Sequence, residues 1–304
     1  MRFDQPLISV VMNGFNSDRY LEEAITSLLQ QTYVNWELIF WDNCSTDNTR
    51  SVVEGFNDSR IRFYRADNQI PLAEGRNKAI ELAEGEWIGF LDCDDLWLPD
   101  KLALQVARIN DGDALDIGLV YGRTESFSVR GSEGETVWQY QGKPLPEGRV
   151  VKALLQQGNL FPIVSVLISK AAWQQVRPIP SHLTFAEDYW LFVAIAERFR
   201  VVCVQTTIAR YRVHGQSATA TNKLSSHTEA LEVMRHWGRA LDARSFKRRV
   251  WEYQTLIAIE QLRTGRNQLA AIKLLITKGS IPYLIRGGLS TVIRRFFRRN
   301  QPFS

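Results

Sequence analysis

Four consecutive residues, Asp92-Cys93-Asp94-Asp95, carry three carboxylates directly after the apolar run Trp87–Leu91. Carboxylates this close repel one another unless water surrounds them or a cation neutralises them. Magnesium and manganese ions prefer oxygen ligands and can bridge carboxylates to the phosphates of a substrate. The cluster therefore indicates either a divalent-cation site for a phosphorylated ligand or a solvated turn in which an aspartate caps the next helix.

Polar residues also follow two other strand-like runs. The run Leu7–Met12 ends at residues 13–16, of sequence NGFN, and the run 36–41 ends at Asp42-Asn43. In the first hundred residues such runs alternate with helical patterns, which argues for a mostly parallel sheet covered by helices on both faces. Because ligands of these sheets bind beyond the carboxyl ends of the strands, the three polar groups are predicted to converge on one site.

The pattern of apolar residues, turn residues and helix caps predicts the elements in more detail. The predicted strands are 7–12, 36–41, 61–64, 86–91, 119–127, 163–168 and 201–211. The predicted helices are 18–31, one that opens at 45–47, 72–84, one from Pro99, 149–157, one from about Ala186, and a helical region from about 225.

Composition limits the class of protein. The 304 residues include 45% hydrophobic ones, enough for one sizeable core and an extension. No run reaches the ~20 apolar residues that cross a bilayer, and the first residues lack the layout of a secretory signal. Cys44, Cys93 and Cys203 have neither disulfide nor metal-ligand spacing. A reducing, cytoplasmic location is expected, with peripheral attachment to the inner face of the cell membrane as a possibility.

Charge is distributed unevenly along the chain. Residues 241–304 carry 13 Lys and Arg against 3 Asp and Glu, whereas the preceding residues carry 24 against 30. Such an asymmetry suggests two parts with different partners. We predict a catalytic domain over residues 1–220 and a helical, basic extension over residues 221–304.

The ordered motifs resemble those of family 2 glycosyltransferases with the GT-A nucleotide-sugar-binding fold. The similarity is close from residue 7 to about 105, through stretches such as YLEEAITSLLQQTYVNWELIFWDNCSTDNT and RNKAIELAEGEWIGFLDCDD, and continues to about 217 through sparser motifs. The resemblance implies a Rossmann-like α/β fold, with a mostly parallel central sheet flanked by helices. It also implies metal-dependent, inverting transfer of a sugar from a nucleoside-diphosphate sugar to a hydroxyl group.

By the same resemblance, UDP is the expected nucleotide, and the acceptor is a glycan or a lipid-linked sugar in surface polysaccharide synthesis. Asp94 is implied as the direct ligand of manganese or magnesium, with His214 completing the metal site. Asp188, in the sequence AEDYW, is implied as the general base that deprotonates the acceptor. The implied contacts to the nucleotide sugar are Asn13, Phe15, Asp42, Asn43, Arg76 and Asp92.

Other interpretations of these residues stay open at this stage. Glu187 and Asp188 could simply favour a helix N-terminus through its dipole, and His214 could be an ordinary polar residue after a strand. Asn43 stands where relatives usually have a second aspartate, and Asn13 where many have proline or threonine. Both departures concern the base-binding turn, so the sequence fixes the reaction class more firmly than the nucleotide.

The segment 284–299, LIRGGLSTVIRRFFRR, has an apolar helical stripe with arginines away from it. This pattern is typical of an interfacial helix on an anionic membrane, although a domain helix with a solvated face remains the alternative. No nucleic-acid recognition module accompanies the basic residues, so nucleic acid is not expected as a partner.

Two other function classes compete with a glycosyltransferase. A sugar-phosphate nucleotidyltransferase should carry a basic, glycine-rich loop after its first strand, and residues 13–18 contain no Lys or Arg. A catalytically silent nucleotide- or glycan-binding module would not need Asp94 and Asp188, so their presence favours an enzyme.

Overall fold

The computed structural model describes residues 5–111, 116–128, 143–214 and 222–277. The chain forms two compact units, Met1–Ser217 and Ala218–Ser304. The first unit is an α/β domain and the second is helical in the part that the structure describes. This is the α/β fold with a C-terminal helical extension that the sequence predicted.

A sheet with the strand order β3-β2-β1-β4-β7-β6-β8-β5 forms the centre of the first unit. Strands β1 to β4 run parallel to one another, and β6 is parallel to β8. Strand β7 is antiparallel to both β4 and β6, and β5 is antiparallel to β8. The strands are β1 (Ile8–Gly14), β2 (Trp36–Asp42), β3 (Ile61–Arg65), β4 (Trp87–Phe90), β5 (Leu96–Trp97), β6 (Ile117–Ser128), β7 (Leu167–Ser169) and β8 (Arg200–Val213).

Helices cover the sheet because each has an apolar stripe to bury. On the first helix, Leu21, Ala24, Ile25 and Leu28 recur at helical spacing and are fully buried. The helices of this unit are α1 (Asp18–Leu29), α2 (Thr49–Glu54), α3 (Leu72–Glu81), α4 (Lys101–Asn110), α5 (Val151–Gln157), α6 (Lys170–Val176) and α7 (Glu187–Arg198).

Strand β1 lies between β2 and β4, and its residues Ile8 to Met12 are at most 2% exposed. A strand covered on both faces can be apolar along almost its whole length, which is why the sequence shows an apolar run there that is interrupted by Ser9. The central strand is thereby anchored, and the residues that follow it have a fixed position.

Two local predictions differ from the structure. The segment 163–168 was predicted to be one strand, but a 3₁₀ turn at Ile163–Ser165 precedes the short strand β7. Pro162 starts that turn, since its carbonyl accepts the N–H of Ser165. Strand β5 has two residues, too few to produce a periodic pattern, and was not predicted.

The second unit contains the helices α8 (Lys223–Trp237), α9 (Ala243–Thr264) and α10 (Gln268–Thr277). Asp242 caps α9 by accepting the N–H of Ser245 at 2.9 Å, and Gly265 ends it in the left-handed conformation, with φ of 76°. Among the described residues, no helix combines the length and the apolar character that a bilayer crossing requires. The predicted membrane-binding segment 284–299 lies outside the described residues.

Candidate active site

The carboxyl ends of β1, β2 and β4 meet at one edge of the sheet. In the β1–β2 ladder Gly14 is opposite Asp42, and the N–H of Asn43 donates to the carbonyl of Gly14 at 2.8 Å. On the other side of β1, the N–H of Leu91 donates to the carbonyl of Val11 at 3.1 Å. The three polar groups that the sequence singled out are therefore neighbours, as the topology of a parallel sheet requires.

Asp42 is fully buried at this edge. Its carboxylate accepts the backbone N–H of Ser45 at 3.1 Å and lies 3.2 Å from the guanidinium of Arg65. The pair fixes the turn after β2, which includes Cys44 in the left-handed region with φ of 69°. With no exposed surface and both partners within the protein, Asp42 supports the turn after β2 from within.

The side-chain amide of Asn43 forms two hydrogen bonds with the backbone of Ile70. Its Nδ2 donates to the carbonyl of Ile70 at 2.9 Å, and its Oδ1 accepts the N–H of Ile70 at 3.0 Å. An aspartate could not reproduce this pair, because it has no N–H to donate. Asparagine at this position therefore ties the segment before α3 to the end of β2.

The turn after β1 presents one aromatic side chain to solvent. Phe15 is 46% exposed, whereas Asn13 Oδ1 is buried and has no hydrogen-bond partner among the described residues. Gly14 allows the turn to lie close to the core, since an added Cβ would lie 2.6 Å from Phe40 Cζ. The exposed ring of Phe15 is accessible to a planar ligand, whereas the amide oxygen of Asn13 lies in the interior.

The acidic cluster after β4 is divided among three different partners. Asp92 Oδ1 lies 3.6 Å from Arg76, and Asp94 Oδ2 lies 2.8 Å from His214 Nε2. Asp95 is fully buried and accepts the backbone N–H of Arg212 at 2.9 Å. Each carboxylate of the cluster therefore has a different partner, and Asp95 connects the cluster to the end of β8.

Arg76 connects the acidic cluster to α7. Its guanidinium, 3% exposed, lies 2.5 Å from Glu187 Oε1 as well as 3.6 Å from Asp92. A cation between two carboxylates lets them approach in a buried space, because it offsets their repulsion. Arg76, which was predicted to contact the nucleotide, is thus buried and bonded to acidic residues of the protein itself.

Asp188 belongs to the first turn of α7, and its side chain is half-buried. Its Oδ2 accepts from Asn159 Nδ2 at 2.8 Å, and its Oδ1 accepts the N–H of Tyr189 at 2.6 Å. These two bonds fix the orientation of the carboxylate. The adjacent Glu187 points instead to Arg76, so the two acids of this helix N-terminus have different partners.

The electrostatics of the cluster favour proton binding near neutral pH. Burial raises the pKa of Asp92 to about 6 and that of Glu187 to about 8, and Arg76 opposes both shifts. Burial also raises the pKa of Asp188, again against the influence of Arg76. The Arg76 guanidinium interacts electrostatically with Asp92, Glu187 and Asp188, so the protonation of these three carboxyl groups is coupled.

Asp94 and His214 together fit a divalent cation. Adjacent ligands of an octahedral ion are about 3 Å apart when each bond is about 2.1 Å long, and the two side-chain atoms are 2.8 Å apart. His214 Nδ1 is buried without a partner among the described residues. No group of three or more His, Cys, Asp or Glu side chains in the described part of the chain is arranged for a metal ion. The remaining ligands of such an ion would therefore come from substrate phosphates and water.

Comparison with known proteins decides the family. A model of the family described as glycosyl transferase family 2 matches residues 9–176, more than half of the chain. The chain belongs to glycosyltransferase family 2. The matched residues include the carboxyl ends of β1, β2 and β4 and end before Asp188.

This glycosyltransferase is 29% identical over 236 residues to the UDP-Glc:alpha-D-GlcNAc-diphosphoundecaprenol beta-1,3-glucosyltransferase WfgD of Escherichia coli. The match covers 77% of this chain and 85% of that enzyme. Over 104 residues it is 39% identical to the putative teichuronic acid biosynthesis glycosyltransferase TuaG of Bacillus subtilis, covering 34% of this chain and 41% of that protein.

Two solved structures have the same fold. One is S. aureus TarS 1–349 in complex with UDP-GlcNAc, with a TM-score of 0.62, 20% identity and coverage of 82% of this chain and 72% of that one. The other is the mannosyltransferase PcManGT from Pyrobaculum calidifontis in complex with GDP-Man and Mn²⁺, with a TM-score of 0.60, 18% identity and coverage of 97% and 83%. The GT-A fold predicted from the sequence is confirmed.

Sequence reasoning missed two arginines at this glycosyltransferase's site. Arg65 holds Asp42, and Arg212 donates from its Nε to the carbonyl of Asp94 at 2.7 Å. Both lie in strands whose arginines look like ordinary solvated residues in the sequence. The sequence signal for Arg212 was its place two residues before His214.

Proposed function

We propose that this glycosyltransferase transfers one sugar from a UDP-sugar to a hydroxyl group, with inversion at the anomeric carbon. The observation that carries the proposal is the link through Arg76, which joins Asp92 of the acidic cluster to the helix turn that bears Asp188. A donor-side carboxylate and a candidate base thereby share one site, although 96 positions separate them in the sequence. A sugar transferase needs both groups close to the anomeric carbon.

The donor would bind along the edge formed by β1, β2 and β4. Phe15 offers an exposed ring to the base, and Asp42, fully buried and bonded to Ser45 and Arg65, would support the turn that the base contacts. Relatives support a nucleoside-diphosphate sugar, since UDP-Glc is in the name of one and UDP-GlcNAc is bound to another. GDP, bound to a third, is the nucleotide to test next.

Asp188 would act as general base in a single displacement. The acceptor oxygen attacks the anomeric carbon, its proton passes to Asp188, and the bond from that carbon to the diphosphate oxygen breaks. The nucleoside diphosphate leaves with the bonding electrons. A raised pKa suits this role, because a carboxylate that binds protons more tightly is a stronger base.

Asp94 and His214 would hold a divalent cation, manganese or magnesium, at the diphosphate. Such an ion supplies Lewis-acid stabilisation of the charge that develops on the leaving phosphate. These two residues would orient the diphosphate, and Asp92, which lies 3.6 Å from Arg76, would contact the ribose of the same donor. The pairing of a carboxylate with an imidazole favours manganese over magnesium, which prefers oxygen ligands alone.

The acceptor would be a glycan or a lipid-linked sugar of a surface polysaccharide. This part of the proposal rests on the names of relatives, which include a glucosyltransferase acting on a diphosphoundecaprenol-linked sugar and a teichuronic acid enzyme. The basic segment 284–299 would bring the enzyme to the anionic membrane where such acceptors are anchored.

The decisive experiment is a donor screen with the full chain and manganese. UDP-glucose, UDP-N-acetylglucosamine, UDP-galactose and GDP-mannose are each incubated with the enzyme and a lipid-linked sugar as acceptor, and release of the nucleoside diphosphate is measured with and without EDTA. We expect release from at least one UDP-sugar, abolished by EDTA. Proton NMR of a transferred sugar should show the opposite anomer to the donor. Release of pyrophosphate from UTP and a sugar phosphate instead would identify a nucleotidyltransferase and overturn the proposal.

A further inference from the structure

The side chain of Arg212, near the acidic cluster, is bonded or stacked on every side. It is 4% exposed and lies at the end of β8, two residues before His214. Its guanidinium lies between two aromatic rings, 4.4 Å from the centre of Tyr20 and 4.5 Å from that of Phe127. Such stacking holds a planar cation in one orientation.

The bonds of Arg212 lead to the two candidate metal ligands. The Nε of Arg212 donates to the main-chain carbonyl of Asp94 at 2.7 Å, and the backbone N–H of Arg212 donates to Asp95 Oδ1 at 2.9 Å. Beyond these bonds, His214 Nε2 meets Asp94 Oδ2 at 2.8 Å. Two chain segments about 120 positions apart are therefore joined at three points within a few residues.

The opposite side of the guanidinium is fixed as well. Its Nη2 donates to Glu23 Oε2 at 2.9 Å, and Glu23 belongs to α1. The planar fork of arginine can bind Glu23 and the carbonyl of Asp94 at the same time, whereas lysine has a single ammonium group. The contact with Asp94 depends on this geometry and not on charge alone.

We propose that Arg212 is a positioning residue that sets the separation of the Asp94 carboxylate and the His214 imidazole for the cation of the donor diphosphate. This inference rests on the proposed function for its metal site. Arg212 touches neither donor nor cation in this scheme. It acts by fixing the backbone of Asp94 and the end of the strand that leads to His214.

The test compares Arg212→Lys with Arg210→Lys, a matched change on the same strand. The Arg210 side chain is half-exposed and pairs with Glu125 of β6 and not with an aspartate of the acidic cluster. The first readout is the affinity for Mn²⁺ in the presence of UDP, followed by the electron paramagnetic resonance signal of free Mn²⁺. Replacing residues that orient a metal ligand typically weakens metal binding 10- to 100-fold, so we expect about 10-fold for Arg212→Lys. Arg210→Lys should bind Mn²⁺ as the wild type does.

Kinetics separate positioning from general damage. The Mn²⁺ concentration for half-maximal turnover should rise in Arg212→Lys, while kcat at saturating Mn²⁺ stays near the wild-type value. A misfolded site would lower kcat without that shift. Equal Mn²⁺ affinity in Arg212→Lys and wild type would overturn the role of Arg212 and leave the proposed function standing.

A second readout needs no metal. The imidazole NMR signals of His214, assigned with His214→Gln among the four histidines of the chain, should shift in metal-free Arg212→Lys and not in Arg210→Lys. Unchanged signals would overturn the inference even if the wild type bound no Mn²⁺, an outcome that would contradict the proposed metal site separately.

Glu23→Gln serves if Arg212→Lys does not fold. Glu23 is 58% exposed, so its replacement threatens the fold little, and it removes one support of the guanidinium. We expect Mn²⁺ binding weaker by roughly 2- to 5-fold, the scale of a partly exposed ion pair. Unchanged Mn²⁺ affinity and His214 signals in this variant would then overturn the proposal.

Discussion

Replacing Arg76 with methionine tests the electrostatics of the site most directly. The guanidinium is 3% exposed and lies 2.5 Å from Glu187, which is 6% exposed. Methionine keeps much of the length and the packing of arginine but removes its charge. Two acids, Glu187 and Asp92, then lose the cation that lies between them. Removing one partner of a buried ion pair costs about 3–5 kcal/mol when the other partner must stay charged.

The cost should depend on pH, because an unpaired carboxyl group can bind a proton instead. The pKa of Glu187 is raised to about 8 with Arg76 present, and the loss of Arg76 raises it further. A carboxyl group with a raised folded-state pKa stabilises the fold below its unfolded pKa, and this stability is lost as pH rises through the folded pKa. Wild-type stability should therefore decline between about pH 4.5 and pH 8 through Glu187.

These values give the expected difference between Arg76→Met and wild type. At pH 5 both proteins hold Glu187 protonated, so the variant loses hydrogen bonds worth about 1 kcal/mol. Above pH 8 the wild type ionises Glu187 and the variant does not, so the difference grows by about 1.4 kcal/mol per pH unit. Asp92, whose pKa is raised to about 6, also loses the charge of Arg76 and adds to the difference in unfolding free energy above that pH. Its contribution is smaller than that of Glu187, because a third of its side chain is exposed to solvent. We expect a total of about 3 kcal/mol at pH 9.

Urea unfolding followed by tryptophan fluorescence at pH 5, 7 and 9 measures these differences. The double variant Arg76→Met with Glu187→Gln is the control, since glutamine cannot ionise. The unfolding free energy of this double variant should differ from that of Glu187→Gln alone by a nearly constant amount above pH 8. A cost of Arg76→Met that is the same at pH 5 and pH 9, within about 0.5 kcal/mol, would refute the reasoning, because electrostatic coupling to Glu187 must vary with its protonation.

Three further variants test the other parts of the proposal. Asp94→Ala should abolish the Mn²⁺ dependence of UDP binding in calorimetry, and equal affinity gains from Mn²⁺ in variant and wild type would contradict the metal assignment. Asp188→Asn should preserve UDP affinity and lower kcat by ~100-fold or more, the scale of losing a general base; turnover near the wild-type rate would remove Asp188 from that role. Deletion of 284–304 should release the protein from anionic vesicles in a sedimentation assay, each basic residue contributing ~1 kcal/mol, and undiminished binding would exclude this segment as the membrane contact.

The sequence predicted the donor side of the fold well because the signals there are local. A buried parallel strand is apolar throughout, and a polar residue at its end is visible in the same short window. Strands at 7–12, 36–41 and 61–64 were predicted within two residues of their observed bounds, Ile8–Gly14, Trp36–Asp42 and Ile61–Arg65. The parallel order of these strands then brought Asp42 and Asp92 to one edge.

The second half of the first unit was less predictable, since its elements are short and joined by irregular segments. The strand expected at 163–168 is reduced to Leu167–Ser169, and β5 produced no pattern at all. Both are held in place by neighbouring strands rather than by their own residue pattern, and a local window does not contain those neighbours.

The sequence by itself therefore identified Asp92, Asp94 and Asp188 as candidate site residues. It also indicated the reaction class, through the family that it resembles. The tertiary packing of strands and helices decided which charges meet. Arg76 and Glu187 are 111 positions apart, and Arg212 and Asp94 are 118 apart. No periodicity encodes such pairs, because they exist only once β8 has paired with β5 and the N-terminus of α7 has met Arg76 of α3. What only the tertiary structure could reveal is that the acidic cluster is divided among three partners, with Arg76, His214 and Arg212 each bonded to a different aspartate or its backbone.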